Sequence, residues 1–401
     1  MSATTSISTN FEDSTTVVND LLLSLPDPGT ADGLGFLFCD SQLDFQAVLE
    51  GVTKKVGFPL VGGTALAFPF ADPGGSELSA ALLFFSKEGM KSAVAVSDVL
   101  EQGRHEEQMQ AVYEQCLERL GTEPRLVLPF FPLMPGLITG HFIDALFSLA
   151  GGVPVFGGTT TNDLVGTKAA VFAEGKAMGN RMALVMLGGS IQPAFSTSNL
   201  VTPMVEYAPE VTGAEGNEVL TVDNGSFCDH MRDVGISPED RINGVDALMQ
   251  YGPTPAIMQA PDRPEDDVPE VRCISFTNVQ KGSAMFSGPV PEGTRLRMSV
   301  LRKEDVAHST RECLQKLQTR MRAAQDAGYR YSALLCVTCV ARYFVLVGGA
   351  NVERELLTVG MPDGMAGLGF YAFCEIGPAY TLEEQRLVNR SHSASITMCA
   401  L

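Results

Sequence analysis

The chain has 401 residues, 45% of them hydrophobic, which is enough for more than one core because a single core stops growing at roughly 250–300 residues. Its net charge is −19, and no run of basic residues is longer than two, which argues against nucleic acid and anionic lipid as partners. The nine cysteines are scattered, no signal peptide begins the chain and no apolar run reaches about 18 residues, so the sequence predicts a cytoplasmic protein with reduced thiols and no membrane contact.

The predicted elements begin after a Ser/Thr-rich segment, residues 1–30, which is expected to be a flexible tail. Apolar runs and helical spacing then predict a strand at 33–40, a helix at 44–55, an extended segment through Gly62-Gly63 and a strand at 78–86. The order is strand, helix, strand, strand.

A second copy of this order follows an amphipathic helix at 105–121. It comprises a strand at 125–132, a helix at 140–152, an extended segment through Gly157-Gly158 and a hairpin formed by KAAVFAEGK and RMALVMLGG. The sequence therefore predicts a duplicated unit.

Both copies carry one phrase, FPLVGGT at Phe58–Thr64 and VPVFGGT at Val153–Thr159. Gly-Gly at the end of a strand allows close approach to the backbone, and the neighbouring threonines add hydroxyl groups. One interpretation is a pair of bare walls around a ligand crevice. The other is that the glycines only permit close packing inside the protein. The residues of this predicted crevice are Gly62, Gly63, Thr64, Gly157, Gly158, Thr159, Thr160 and Thr161.

The second region begins after a polar break at 195–207 and is also predicted to be α/β. Its expected elements are two strands in 209–225, a short helix at CDHMRDVGI, a three-strand meander at 271–301, a long helix at 303–328, a strand at 331–341, a helix near 350–358, and extended segments at 367–377 and 392–401. Its last part resembles the two earlier units.

Five phrases of this region occur in an order that resembles the FIST_C domain: VTGAEGNEVLTVDNG, PVPEGTRLRMSV, CVAR, GFYAFCEIG and HSASIT. VGGTA and FGGTTTNDL resemble the FIST_N domain. The resemblance implies a FIST_N-like domain at 31–195 and a FIST_C-like domain at 196–401. It also implies a sensory module of signal transduction that binds an amino acid or a related metabolite, and some members of the family bind haem and respond to nitric oxide. Three residues depart from the family pattern, Ala341, Cys374 and Ser393.

Two charged residues in these phrases, Arg342 and Glu375, are candidate site residues. A guanidinium suits a carboxylate bidentately, so the pair is predicted either to bridge one another or to hold the carboxylate and the amine of a ligand.

Cys336-Val337-Thr338-Cys339 does not predict a metal site, because zinc needs four ligands and no second pair of suitable spacing exists. Buried structural thiols are expected instead, with Cys339 beside His392 as a candidate nucleophile of a hydrolase. No cofactor is expected from the residues themselves. Haem held by His392 or His141 stays as an alternative.

The fold predicted from the sequence is α/β, with duplicated strand–helix–strand–strand units, mixed sheets, outer helices and a related α/β C-terminal domain. The predicted function is that of a stand-alone cytoplasmic small-ligand sensor that contacts a separate signalling protein, such as a kinase. The alternatives are a haem-based nitric oxide sensor and a Cys-dependent hydrolase. A sensor is favoured over an enzyme.

Overall fold

A computed structural model describes residues 2–25, 33–70, 78–134, 136–160, 168–260, 268–346, 351–362, 364–382 and 385–401. The mixed α/β class predicted from the sequence is confirmed. The order of a strand, a helix and a second strand parallel to the first occurs three times, in segments that we call repeat 1 (33–120), repeat 2 (124–199) and repeat 3 (333–400).

The N-terminal segment and repeat 1 supply the first nine elements, six strands and three helices. They are β1 (Ser2–Ser8), α1 (Ser14–Leu23), β2 (Gly33–Cys39), α2 (Phe45–Thr53), β3 (Leu60–Thr64), β4 (Ala67–Pro69), β5 (Ala80–Ser86), β6 (Met90–Val96) and α3 (His105–Leu120). The helix α3 ends at Gly121, whose φ of 62° is left-handed and therefore suits glycine.

Repeat 2 continues with β7 (Pro124–Pro132), α4 (Thr139–Ala150), β8 (Gly157–Thr160), β9 (Val171–Ala173), β10 (Lys176–Met178), β11 (Ala183–Gly189) and β12 (Ala194–Asn199). The boundary predicted at 195/196 falls inside β12, which pairs with the last strand of the chain rather than linking two domains.

An insert, residues 202–300, separates repeats 2 and 3. Its elements are β13 (Thr202–Pro203), β14 (Val211–Glu215), β15 (Glu218–Val222), β16 (Gly225–Ser226), α5 (Phe227–Asp233), a 3-10 turn at Glu239–Arg241, α6 (Gly244–Tyr251), β17 (Pro255–Gln259), β18 (Glu270–Asn278), β19 (Ser283–Phe286) and β20 (Arg295–Val300). Its strands form one antiparallel sheet in the order β13-β20-β17-β18-β19-β15-β14, with β16 beside β15.

Repeat 3 is preceded by the long helix α7 (Lys303–Asp326). It comprises β21 (Ala333–Cys339), α8 (Val340–Val345), α9 (Asn351–Gly360), β22 (Ala366–Ala372), β23 (Glu375–Tyr380), β24 (Leu387–His392) and β25 (Ser395–Ala400).

The three repeats build three sheets of one design by exchanging strands. The sheet orders are β1-β5-β2-β3-β9-β10, β6-β11-β7-β8-β23-β24 and β12-β25-β21-β22-β4. Each has a central parallel pair, an antiparallel strand of the same repeat on one side, and on the other side a strand from a different repeat, namely β9, β23 or β4. The repeats are therefore interlocked.

The inner faces of the three sheets meet in one apolar core, and the helices cover the outer faces. The central core contains phenylalanines from all three repeats; the rings of Phe38 and Phe370 stack with centroids 4.3 Å apart. Helices α1 and α2 cover the first sheet, α3 and α4 the second, and α7 and α9 the third. No helix in the described part of the chain is long and apolar enough to cross a bilayer.

Four details of the prediction are wrong. Residues 2–8 are not a tail, because β1 pairs along its whole length with β5; threonine suits an edge strand despite its polarity. The hairpin predicted in repeat 2 does not form, because β9 leaves for the first sheet while β11 stays in the second. In the insert, β20 pairs with β17 and not with β19. The segment 367–377 is two strands in different sheets.

Candidate functional site

Arg342 lies in α8 directly after β21 and is fully buried. All three guanidinium nitrogens donate to protein acceptors, which come from α7, α9 and the β24–β25 turn. The acceptors are Glu353 Oε1 (2.9 Å from Nε, 2.7 Å from Nη2), Ser309 Oγ (2.8 Å), Thr310 Oγ1 (2.8 Å), Val306 O (3.1 Å) and Ala394 O (3.4 Å). Arg342 thus ties helices to the third sheet.

The predicted bridge between Arg342 and Glu375 is wrong, because the partner of Arg342 is Glu353. The two charges are buried together, and Glu353 also accepts hydrogen bonds from Thr338 and Tyr371. With its donors engaged in this way, Arg342 does not support the predicted clamp on a ligand carboxylate.

Glu375, the first residue of β23, is fully buried with only one of its carboxyl oxygens bonded. Oε2 accepts from the backbone N–H and the hydroxyl of Ser395, at 3.3 and 2.9 Å, and Oε1 has no hydrogen-bond partner among the described residues. Burial raises the pKa of Glu375 to about 8, and the bonds from Ser395, the nearby Cys339 thiol and the Arg342 charge only partly oppose this. The Cys339 thiol is too far away or too poorly aligned to count as a hydrogen-bond partner of Oε1. A buried polar atom without a partner costs folding free energy, so it indicates a missing partner.

The repeats provide an internal comparison for this position. In the second sheet, Glu375 is paired with Gly158 of β8 and His392 of β24. In the first sheet, the same places are taken by Val171, Gly63 and Met178. The same arrangement of strands therefore accepts an apolar pair, Val171 and Met178, where repeat 3 has a carboxyl group and an imidazole.

The glycines of the two repeated phrases are packed against protein atoms. Gly62 has φ of 143°, and a Cβ there would lie 2.0 Å from the carbonyl oxygen of Leu37; a Cβ on Gly157 would lie 2.1 Å from that of Pro129. A Cβ on Gly63 would meet the Ala170 carbonyl at 2.4 Å. The interpretation of close packing inside the protein fits these contacts, whereas bare walls around an open crevice do not.

The threonines of the phrases hold the exchanged strands. Thr64 Oγ1 accepts from Ala170 N, just before β9, and Thr159 Oγ1 accepts from Cys374 N, just before β23, both at 3.0 Å. The Thr160 hydroxyl donates to Ala170 O, so the two copies do meet. The phrase recurs because each copy receives a strand from another repeat. Thr161 lies outside the described residues.

A surface depression of about 460 Å³ touches this meeting point at Ala170. Its lining is Ser41, Leu43, Phe45, Lys168, Ala169, Ala170, Ala177 and Gly179. None of the residues predicted from the sequence lines it.

Cys339, at the end of β21, is almost fully buried, and burial raises its pKa well above that of a free thiol, with the Glu375 carboxyl adding to the effect. All nine cysteines are free, and only Cys273 and Cys374 are partly exposed. Burial, followed by Glu375, raises the pKa of both to about 12. These thiols stay protonated, so the geometry does not support a nucleophilic Cys339.

His392 is 2% exposed, and its Nε2 lies 3.1 Å from the carbonyl oxygen of Gly377. Because a carbonyl only accepts, Nε2 carries the proton and Nδ1 is a bare acceptor, which has no partner in the described part of the chain. Burial lowers the pKa of His392 to about 4, so the ring is neutral and a weak base.

The two histidines considered as haem ligands each have one ring nitrogen with a partner. In His392 this is Nε2, which faces the Gly377 carbonyl, while the ring is 2% exposed. His141 Nδ1 lies 3.1 Å from the side-chain amide nitrogen of Gln102, and the side-chain oxygen of Gln102 accepts a hydrogen bond from Ile138 N. Nδ1 of His141 therefore also has a partner. Within the described ranges, no group of three or more His, Cys, Asp or Glu residues could hold a metal ion.

The insert closes this region from one side through polar contacts that the sequence did not predict. Arg272 Nη1 donates to Ser391 O at 3.0 Å, and the hydroxyls of Ser287 and Ser393 lie 2.8 Å apart. Cys273 is partly exposed, and its pKa is raised by burial and then by the Glu375 carboxyl, while Arg272 lowers it. We call Glu375, His392, Ser395, Cys273 and Cys374 the junction site.

Sequence reasoning found Glu375, Cys339 and His392, which the structure brings together. It missed Cys273 and Ser395, and it missed Glu353 as the partner of Arg342. Of these residues, only Ser395 could have been found from the sequence, since it belongs to the HSASIT phrase. Cys273 and Glu353 lie in segments without a motif, and only long-range packing brings them to their partners.

Comparisons with known proteins place the chain in a family. Residues 33–225 match the FIST N domain, and residues 244–378 match the FIST C domain. No curated protein matches the chain. Among solved structures, cyanuric acid hydrolase from A. caulinodans is similar over 50% of this chain and 71% of its own, with 11% identity and a TM-score of 0.30. Since the two domain matches together cover most of the sequence, the protein belongs to the FIST family of sensory domains.

Proposed function

We propose that this protein is a cytoplasmic sensor that binds an amino acid or a related small metabolite at the junction site. In this proposal it passes the bound state to a separate signalling protein, such as a kinase. The observation that carries it is the buried Glu375 carboxyl, whose Oε1 has no hydrogen-bond partner in the described part of the chain, at a place where the equivalent strand of the same fold has Val171.

The location of the site supports a sensor. Glu375 and His392 belong to the repeats, whereas Cys273 belongs to the insert, so a ligand there contacts both parts. Cys273 is partly exposed, whereas Cys374 packs on the other face of the sheet, in the cluster covered by α3 and α4. Cys273 is therefore the residue of the site through which the Glu375 side approaches solvent. A ligand can shift a conformational equilibrium only by its differential contacts with the two states, and a site between two parts provides such contacts.

A thermal-shift screen against amino acids and organic acids tests the proposal. A ligand at 100 times its dissociation constant adds about 2.7 kcal/mol to the free energy of unfolding, which raises the melting temperature measurably. The variant Glu375→Val should fold, because valine occupies the equivalent position of repeat 2, but it should lose the shift.

The matched control is Val171→Ala, which alters the equivalent position in the first sheet and should keep the ligand-induced shift. The proposal is wrong if no compound stabilises the protein, or if Glu375→Val responds to the ligand as strongly as the unchanged chain.

A further inference from the structure

Two buried atoms that have no hydrogen-bond partner among the residues described by the structure lie on neighbouring strands of the junction site. They are Oε1 of Glu375 on β23 and Nδ1 of His392 on β24. The two residues are directly paired in register, and opposed residues of antiparallel strands project to the same face with Cβ atoms about 4.5–5.5 Å apart. The two atoms therefore share one small region.

The hydrogen bonds around each residue fix what these atoms can do. Oε2 of Glu375 already accepts twice from Ser395, so a proton on the carboxyl group resides on Oε1 and makes it a donor. The carboxyl pKa of about 8 means that this proton is present at neutral pH. Nε2 of His392 faces the Gly377 carbonyl, so Nδ1 is an acceptor.

The charged and titratable groups around Glu375 come from every element packed on it. Cys339 lies on β21, Cys374 precedes β23, Cys273 lies on β18, and Arg342 lies on α8. The thiols are protonated, and Arg342, which is paired with Glu353, lowers the pKa of Glu375 less than burial raises it. Around His392 the charged groups are Arg272, which is paired with Glu270, and Arg390.

The opposite neighbour of Glu375 leaves no room. A Cβ on Gly158 would lie 3.1 Å from Val337 Cγ1 and 3.3 Å from Ala372 Cβ, so the protein itself fills the space above this glycine. A bridging group must therefore lie on the His392 side of Glu375, towards the insert.

We propose that one hydroxyl group, from a ligand or from a buried water, bridges Glu375 and His392 by accepting from Oε1–H and donating to Nδ1. The ligand form rests on the proposed function; the water form does not. A ligand carboxylate has no proton for Nδ1. An ammonium group has only donors and would require Glu375 to lose its proton.

The ligand source is tested by calorimetric titration with three probes that differ in one group: L-serine, L-alanine and L-2,3-diaminopropionate. The proposal expects L-serine to bind at least about tenfold tighter than L-alanine, because removing the hydroxyl leaves two buried polar atoms without partners. The double variant Glu375→Val with His392→Met, which reproduces the residues of the first sheet, should lose this preference. Glu375→Gln keeps a donor and should retain it.

Equal affinity for L-serine and L-alanine would overturn the ligand form of the proposal. So would preferred binding of the diamine with release of a proton, measured from the dependence of the binding enthalpy on the buffer.

The water source is tested in the protein without any ligand, labelled with 13C-histidine. A water-selective ROE to the Cε1–H of His392, assigned by its absence in His392→Met, supports a bridging water. If neither these probes nor any compound of the thermal-shift screen binds and this ROE is present, the proposed function fails and the bridge stands. If no probe binds and the ROE is absent, the bridge fails too.

Discussion

Replacing Glu375 with glutamine should stabilise the protein at neutral pH, and increasingly so as the pH rises. The glutamine amide NH₂ can stand where the Oε1–H of the neutral carboxyl stands, while its oxygen can accept the two bonds from Ser395. The substitution therefore keeps the hydrogen bonds of the protonated acid and removes its ionisation.

The magnitude follows from the pKa of Glu375, which is about 8 in the folded protein against 4.5 for an ordinary glutamate side chain. Between these two values the unfolded chain releases the proton while the folded protein keeps it, so the unfolded state binds fewer protons and the stability of the wild type falls as the pH rises. The slope is about 1.4 kcal/mol per pH unit. This amounts to about 3 kcal/mol by pH 7, none of which applies to the glutamine variant.

Urea unfolding followed by circular dichroism at pH 5, 6, 7 and 8 measures this difference. His392, whose pKa is lowered to about 4, loses its stabilising contribution as the pH falls, but it does so in both proteins and cancels. The stability of Glu375→Gln minus that of the wild type should grow across the series. A difference that does not change with pH would refute a buried neutral carboxyl group.

Three further outcomes follow from the packing. Arg342→Met should cost about 3–5 kcal/mol of stability in urea unfolding, because it leaves the buried Glu353 carboxylate without its partner, and a loss under 1 kcal/mol would contradict this. Gly62→Ala should lower the melting temperature strongly, because the added Cβ would overlap the Leu37 carbonyl and the backbone φ is positive. The control Gly152→Ala, whose added Cβ has nothing within 4 Å, should change the melting temperature little. Equal effects of the two substitutions would contradict the packing role of Gly62. Iodoacetamide at pH 8 should leave Cys339 unmodified in the folded protein and alkylate it in urea, as mass spectrometry of the peptides would show; rapid labelling of the folded protein would restore the nucleophile hypothesis.

The secondary structure of the repeats was predictable because each strand and helix has its own local pattern. Strand β2, GLGFLFC, is a continuous apolar run, which predicts a strand buried on both faces. Helix α7 has apolar residues at helical spacing, which predicts a helix buried on one face. The partners of the strands were not predictable in this way. Strand β9 is three residues long, and its place beside β3 rather than β11 depends on Thr64 and Ala170, which are far apart in the sequence.

The candidate site shows the same division. Glu375 stood out because a carboxyl group in an apolar strand phrase needs a partner, and that reasoning holds. The partner itself could not be chosen from the sequence. Arg342 and Glu353 are close along the chain, but it is the packing of α8 on α7 and α9 that turns them towards each other.

The energetics of the junction site favour a binding role over a structural one. A carboxyl group that stays protonated in the folded protein makes it less stable at neutral pH than a side chain that does not titrate. Repeat 2 shows that the fold accepts Val171 at the equivalent position. The contacts that hold the insert over the site are polar, from Arg272 to Ser391 and from Ser287 to Ser393, and Ser393 directly follows His392. A group bound between Glu375 and His392 would lie next to the turn that forms these contacts with the insert. In the proposed function, the position of the insert is therefore the property that such a ligand would change.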